Sequence, residues 1–155
     1  MPKFVHSSGY GNPIPTTDAI IEYERDGMSG IILITRKNEP HGIALPGGFA
    51  EGGITLEQNV RKEALEETGL DFRVRGMLGV FDDPHRDPRG HMISVTYLGI
   101  GYGELRAGDD AKSAGLYSHE TVRQLIRGGK INGLGLVFDH AQILEKYFQH
   151  QGYAL

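Results

Sequence analysis

Glu63, Glu66 and Glu67 follow one another at i, i+3 and i+4 in a segment, residues 55–68, that reads as a helix. At about 100° per residue, three carboxylates at this spacing project to one side. Leu56, Val60 and Ala64 mark the apolar stripe of the same helix. Glu63 falls almost over Leu56, Glu67 falls between Leu56 and Val60, and Glu66 lies on the adjoining flank. The acids are therefore expected beside or within a face that should be buried. Like charges repel at this spacing, and removing them from water costs more, so a cation should compensate. The chain contains no cysteine, which excludes thiolate metal sites, disulfides and cysteine nucleophiles. A cluster of hard oxygen ligands suits Mg²⁺, with Mn²⁺ possible, the remaining positions being left to water and phosphate. The alternative is a solvated acidic helix end in which Lys62 pairs with Glu66.

The elements needed to position such a site can be read around it. Thr55-Leu56-Glu57-Gln58 fits a capping box, and Gly69 suits the position just past the helix end. Leu45-Pro46-Gly47-Gly48-Phe49-Ala50-Glu51-Gly52-Gly53 precedes the helix, and its four glycines permit close approach of backbone to a ligand. Residues 18–24 and 30–35 read as two strands joined around Asp26-Gly27. Residues 72–81, interrupted by Gly76 and Gly79, and 92–98 read as further strands around a charged, proline-containing loop, Asp82–His91. Helices are expected over 117–127 and 138–149, with Ser118 and Asp139 as caps. Residues 1–17, containing Gly9, Gly11, Pro13 and Pro15, read as an irregular arm. Strands interleaved with helices imply an α/β or α+β layered domain.

The 155 residues suit a single domain spanning 1–155, and the sequence shows no repeat or linker. A formal net charge of -4 disfavours a nucleic-acid partner. The longest purely apolar run, Ile31-Ile32-Leu33-Ile34, is too short to span a bilayer, and the first residues lack the apolar core of a signal peptide. A soluble cytoplasmic protein without a membrane partner is the expectation.

Gly48 through Leu70 resembles the Nudix box. The matching residues are Gly48 and the run Lys62-Glu63-Ala64-Leu65-Glu66-Glu67-Thr68-Gly69-Leu70. The resemblance implies an α/β/α sandwich around a mixed β-sheet and Mg²⁺-dependent hydrolysis of a nucleoside diphosphate linked to another group. It also implies that Glu63, Glu66 and Glu67 hold divalent ions, with the Gly47 carbonyl as a further ligand. Two positions depart from the pattern. Ile54 stands where the box has a glutamate, and Lys62 where it has an arginine. Both changes fall on one loop-to-helix salt bridge, for which packing of Ile54 on the Lys62 stem is the expected substitute.

Outside the box, several stretches resemble the small ADP-ribose pyrophosphatases of archaea and bacteria. These are Asn12-Pro13, Thr17–Ile21, Gly79-Val80-Phe81, Asp87-Pro88-Arg89-Gly90-His91, Ala107–Ala111 and Phe138-Asp139-His140. The implied substrate is a small-molecule nucleotide, ADP-ribose or a relative, cleaved to AMP and a sugar phosphate. A homodimer is implied by the same resemblance. Catalytic roles are expected for Glu66, Glu67 and Asp110, with Glu104 and Asp109 as other carboxylates available as a base. Arg86, Arg89 and His91, with His85, are expected at the rim to meet phosphate or ribose; a solvated hairpin tip is the alternative. Tyr10 and Asp18 suit an adenine pocket, a dimer contact or, more simply, strand-edge packing. The seven histidines show no zinc spacing and are read as surface or rim residues. Two other functions fit the pattern: a nucleoside-triphosphate sanitising pyrophosphohydrolase, and a non-catalytic nucleotide-sugar sensor.

Overall fold

The computed structural model describes residues 11–106 and 111–152. Its strands are β1 (Ile14–Arg25), β2 (Met28–Arg36), β3 (Ile43–Ala44), β4 (Gly47–Phe49), β5 (Asp71–Phe81), β6 (Met92–Tyr102) and β7 (Ala111–Tyr117). The helices are α1 (Leu56–Thr68), α2 (His119–Ile126) and α3 (His140–His150). The sheet runs β3-β2-β1-β6-β5, with β4 on β1 and β7 on β2. Among the named strands of the described residues, β1 and β6 pair in parallel and the other ladders are antiparallel.

The apolar runs in β1 and β2 are continuous because both faces of the sheet are covered. Ala19, Ile21 and Ile32 pack with Val60 and Ala64 of α1 on one face. Ile20, Ile31 and Leu33 pack on the other face with Val122 and Leu125 of α2 and Ile143, Leu144 and Tyr147 of α3. This is the expected α/β/α sandwich. Successive strand residues alternate between its two cores.

Turn chemistry sets the first hairpin. Asp26 (φ 53°) and Gly27 (φ 77°) both lie in the left-handed region, as a two-residue type I′ turn requires, and Arg25 pairs with Met28. Thr55 caps α1 with both bonds of the capping box, and Gly69 closes it at φ 77°. Ladder irregularities between Val74 and Gly76 and between Met77 and Gly79 are bulges in a strand that continues through both glycines.

Two expectations need correction, and one strand is not legible in the sequence. The arm ends earlier than expected, because Ile14–Thr17 already belongs to β1, where Thr16 and Thr17 pair with both β4 and β6. Part of the glycine loop is strand β4, which tertiary pairing supplies against glycine's weak intrinsic preference. Strand β7, Ala-Lys-Ser-Ala-Gly-Leu-Tyr, carries no clear alternation and exists through its pairing with β2.

The pairing of β1 creates the cleft. One edge of β1 binds β2 through residues 22–25 and β4 through residues 16–18. The first hairpin thus splits open toward the start of β1, and residues 43–49 cross the gap from β2 to β1. The mouth of this fork is where the conspicuous residues of the sequence meet.

Candidate active site

A cleft of about 290 Å³ opens at the fork. Its floor and one wall include Asp18 of β1, Gly47 and Gly48 of β4, and Glu67 of α1. The opposite wall includes Arg86, Arg89 and Phe138.

On the acidic wall, α1 delivers its carboxylates to different environments. Glu67 is buried, and its Oε2 has no hydrogen-bond partner among the described residues. The Gly47 N–H donates to this carboxylate, but burial and the nearby Glu63 charge push its pKa up to about 8. Glu63 is half-buried and lies against the Gly48 backbone; a Cβ there would stand 2.6 Å from its Cδ. A side chain at Gly48 would displace the Glu63 carboxylate, whereas Gly47 is required by close approach, since a Cβ there would overlap the Thr17 carbonyl oxygen. Glu66 points elsewhere: its side chain is 50% exposed, and Lys62 Nζ lies 3.6 Å from it. The expected convergence of three acids is therefore divided, with Glu67 inward, Glu63 beside the glycines and Glu66 outward. Among the described residues, no three histidine or acidic side chains form a ready-made metal-binding group.

The donors nevertheless fit a hard divalent cation. Mg²⁺ takes one or two carboxylates and retains water on its other positions. A buried carboxylate oxygen without a partner, on a wall that holds a second carboxylate, is a place where a cation offsets a desolvation cost.

Asp18, read in the sequence as suiting an adenine pocket, a dimer contact or strand-edge packing, and His140, read as surface or rim, both lie buried beneath this wall. Asp18 Oδ2 accepts a hydrogen bond from Ser94, and Ser94 Oγ is 2.9 Å from Thr96 Oγ1. Burial pushes the Asp18 pKa up to about 6. His140 is 3% exposed, so its assignment to the surface or rim is corrected. Its Nδ1 accepts the Leu45 N–H at 3.0 Å, and Nε2 lies 3.8 Å from Asp18 Oδ1. Burial lowers its pKa to about 3, so the ring is neutral and its proton resides on Nε2.

The basic wall is organised by pairing. Arg86 and Asp139 form a bidentate pair with distances of 2.9 and 2.7 Å, their side chains 3% and 10% exposed. Arg86 therefore lines the cleft with its guanidinium already engaged, rather than standing free for a ligand as expected. Asp139 occupies the N-cap position of α3 but makes no side-chain cap bond, because Arg86 holds its carboxylate. Asp87 accepts Arg89 Nε and Nη2 at 3.1 and 2.8 Å and keeps its pKa low. The Arg89 guanidinium lies 5.1 Å from the Phe49 ring and 5.2 Å from the Phe138 ring. Arg36, missed in the sequence, sits 5.0 Å from the other guanidinium-binding ring, Phe138. The solvated-tip alternative is excluded for Arg86 and Asp87, which are buried.

His91 is exposed, its Nε2 is 3.2 Å from the Asp82 carbonyl, and it does not line the cleft. Glu104 is also exposed and away from the lining. Tyr10, Asp109 and Asp110 lie outside the described residues.

The loop-to-helix staple uses a different acid from the expected position. Lys62 Nζ contacts Glu51 at 2.5 Å, whereas Ile54 is 37% exposed. The charge lost at Ile54 is replaced by Glu51, rather than by apolar packing. Buried Asn59 adds a second tie, accepting the Glu51 N–H at 3.1 Å and donating to Thr17 Oγ1 at 2.9 Å.

Comparison with known proteins agrees with this arrangement. The chain is 42% identical over 143 residues to the ADP-ribose pyrophosphatase of Methanocaldococcus jannaschii, covering 90% of this chain and 76% of that protein. It is 30% identical to the ADPR responsive transcriptional repressor NtrR of Acinetobacter baylyi, covering 91% of this chain and 55% of the repressor. Its fold matches the NUDIX domain of Shewanella oneidensis NrtR, solved with ADP ribose, at a TM-score of 0.79 and 23% identity, covering 94% and 93% of the two chains. Residues 13–132 match the NUDIX domain model, which takes in the fork, α1 and the β5–β6 loop but ends before Phe138, and the chain accordingly belongs to the NUDIX family.

Proposed function

We propose that this protein is a divalent-metal-dependent pyrophosphohydrolase that cleaves ADP-ribose, or a similar nucleoside diphosphate sugar, to AMP and a sugar phosphate. The observation that carries this reading is the unpartnered Oε2 of buried Glu67, facing a cleft whose other wall bears arginines. The M. jannaschii pyrophosphatase supports the choice of substrate. Glu63, Glu66, Glu67 and the Gly47 carbonyl are the proposed metal ligands, for Mg²⁺ or Mn²⁺. The metal supplies charge neutralisation on the diphosphate and a water of lowered pKa.

The chain's own residues bind and orient the substrate. Arg89, held in one orientation by Asp87 and two aromatic rings, is placed to meet a phosphate or ribose oxygen without first giving up freedom of its side chain. Glu66, Glu67 and Asp110 are the proposed catalytic carboxylates. His91, on the exposed rim, is the remaining proposed substrate-side residue, and Arg86, engaged by Asp139, acts through the loop it anchors. Water adds to one phosphorus, the P–O–P link breaks, and AMP and ribose 5-phosphate leave. A homodimer acting in the cytoplasm completes the proposal.

Product identification tests it. With Mg²⁺ present, ADP-ribose should yield AMP and ribose 5-phosphate. A nucleoside monophosphate plus pyrophosphate from triphosphates alone would assign the sanitising activity instead. Tight binding of ADP-ribose without turnover would assign a sensor.

A further inference from the structure

Phe138, Asp139 and His140, where the chain enters α3, send three consecutive side chains to three parts of the cleft. Asp139 holds the β5–β6 loop by accepting Nε and Nη2 of Arg86. His140 accepts the Leu45 N–H and so holds the segment that leads into the glycines. Phe138 presents its ring to the guanidiniums of Arg36 and Arg89.

Two local preferences are given up to achieve this. Phe138 has φ 57°, in the left-handed region that a bulky L-residue rarely adopts. Asp139 stands at an N-cap, where aspartate is among the preferred residues, yet it makes no cap bond. Such sacrifices persist where surrounding contacts over-determine a conformation, and they cluster at functional sites.

A continuous path runs from this tripeptide into the cleft. Asp139 binds Arg86; the next residue, Asp87, binds the Arg89 guanidinium and also accepts its backbone N–H at 2.9 Å. Arg86 is too buried to lose a ligand contact on substitution, so any effect on binding must pass through the loop it anchors.

We propose that Phe138-Asp139-His140 is a clip that sets the affinity of the cleft for a nucleoside diphosphate ligand. Asp139 is a positioning residue acting through Arg86 on Arg89. His140 holds the glycine segment, and Phe138 backs the Arg89 guanidinium. The ligand class rests on the proposed function; the clip itself rests on the contacts.

Calorimetric binding of ADP-ribose to the full chain in EDTA, with KM and kcat in Mg²⁺, tests the proposal. Asp139→Asn should weaken binding and raise KM about tenfold or more, with kcat within about threefold of wild type. Arg89→Ala should do the same, and the double variant should bind no more weakly than Arg89→Ala alone. Additive losses, or unchanged affinity in Asp139→Asn, would overturn the positioning role. Should Asp139→Asn not fold, Arg86→Met serves in the same cycle, since it removes the buried cation and frees Asp139 to cap α3. If wild type neither binds ADP-ribose in EDTA nor hydrolyses any nucleoside diphosphate compound in Mg²⁺, the proposed function fails, and hydrogen exchange decides on the clip. Faster exchange of residues 85–91 in Asp139→Asn, with β6 still protected, supports it; equal protection in that loop refutes it.

Discussion

The two walls of the cleft solve the problem of buried charge in opposite ways. On the basic wall, Arg86 and Arg89 each meet a carboxylate within 3.1 Å, and their positions are set before any ligand arrives. On the acidic wall, Glu67 leaves one oxygen without a hydrogen bond and holds its proton up to about pH 8. A paired wall can be rigid, because its desolvation cost is already offset. An unpaired one retains its chemistry for a cation that arrives later. Under the proposed function, positioning falls to the loop and α3, and metal binding to the glycines and α1.

The strongest way to break that assignment is Glu67→Gln. With Mg²⁺ and ADP-ribose, kcat should fall on the order of a thousandfold, because a ligand worth several kcal/mol of charge stabilisation is removed. The metal-free variant should melt no lower than wild type, since the amide resembles the protonated acid. Near-normal turnover would place the metal elsewhere. Arg89→Ala should act mainly on KM, raising it about tenfold, the loss appropriate to a hydrogen bond to a charged group. A fall in kcat with unchanged KM would instead join Arg89 to the acidic wall.

Stability against pH sharpens the comparison without substrate. In the metal-free protein, Glu67 binds a proton up to about pH 8, whereas the unfolded chain releases it near 4.5. Asp18 similarly keeps its proton to about pH 6 against 3.8. The folded state therefore holds extra protons, and the stability due to them is lost as pH rises through those values. His140 acts in the other direction: its pKa of about 3, against 6.5 unfolded, contributes stability above pH 6.5 that disappears as pH falls toward 3. Of these three, only the Glu67 contribution still changes between pH 6.5 and 8, with a slope of at most ~1.4 kcal/mol per pH unit. Thermal melts in EDTA should thus show lower stability at pH 8 than at 6.5, and Mg²⁺ should oppose the loss. A flat profile would mean that Glu67 is ionised without metal.

The smallest effects concern the supports of α1. Thr55→Ala should cost about 1 kcal/mol by removing the capping box, measured by denaturant melts. Lys62→Ala should leave the melting temperature nearly unchanged, because Lys62 and Glu51 are both largely exposed and water screens their pair. A large drop there would show that the staple holds the glycine loop in place.

Local chemistry made α1 legible. Thr55, Gln58 and Gly69 define its ends, and Val60, Ala64 and Glu67 lie on its buried side as their periodicity predicts. The Asp26-Gly27 turn was equally readable, since few dipeptides accept two left-handed residues. Strand β7 was not, because its pattern is weak and its partner lies some 80 residues earlier, around Ile31 to Arg36. The roles of Asp18, Arg36 and His140 were hidden for the same reason: each depends on contacts between distant elements. Glu51 shows how position can mislead, for it supplies from three residues before Ile54 the charge that Ile54 lacks.

The sequence by itself determined the helix, its capping, the glycine loop and the acids they carry, because those follow from dihedral preference and periodicity over a few residues. Tertiary structure alone decided which acid is buried and unpartnered, and which arginine is committed to Asp139. Burial and pairing arise only when β1 forks and α3 closes against the two loops, and they determine what a charged group can do.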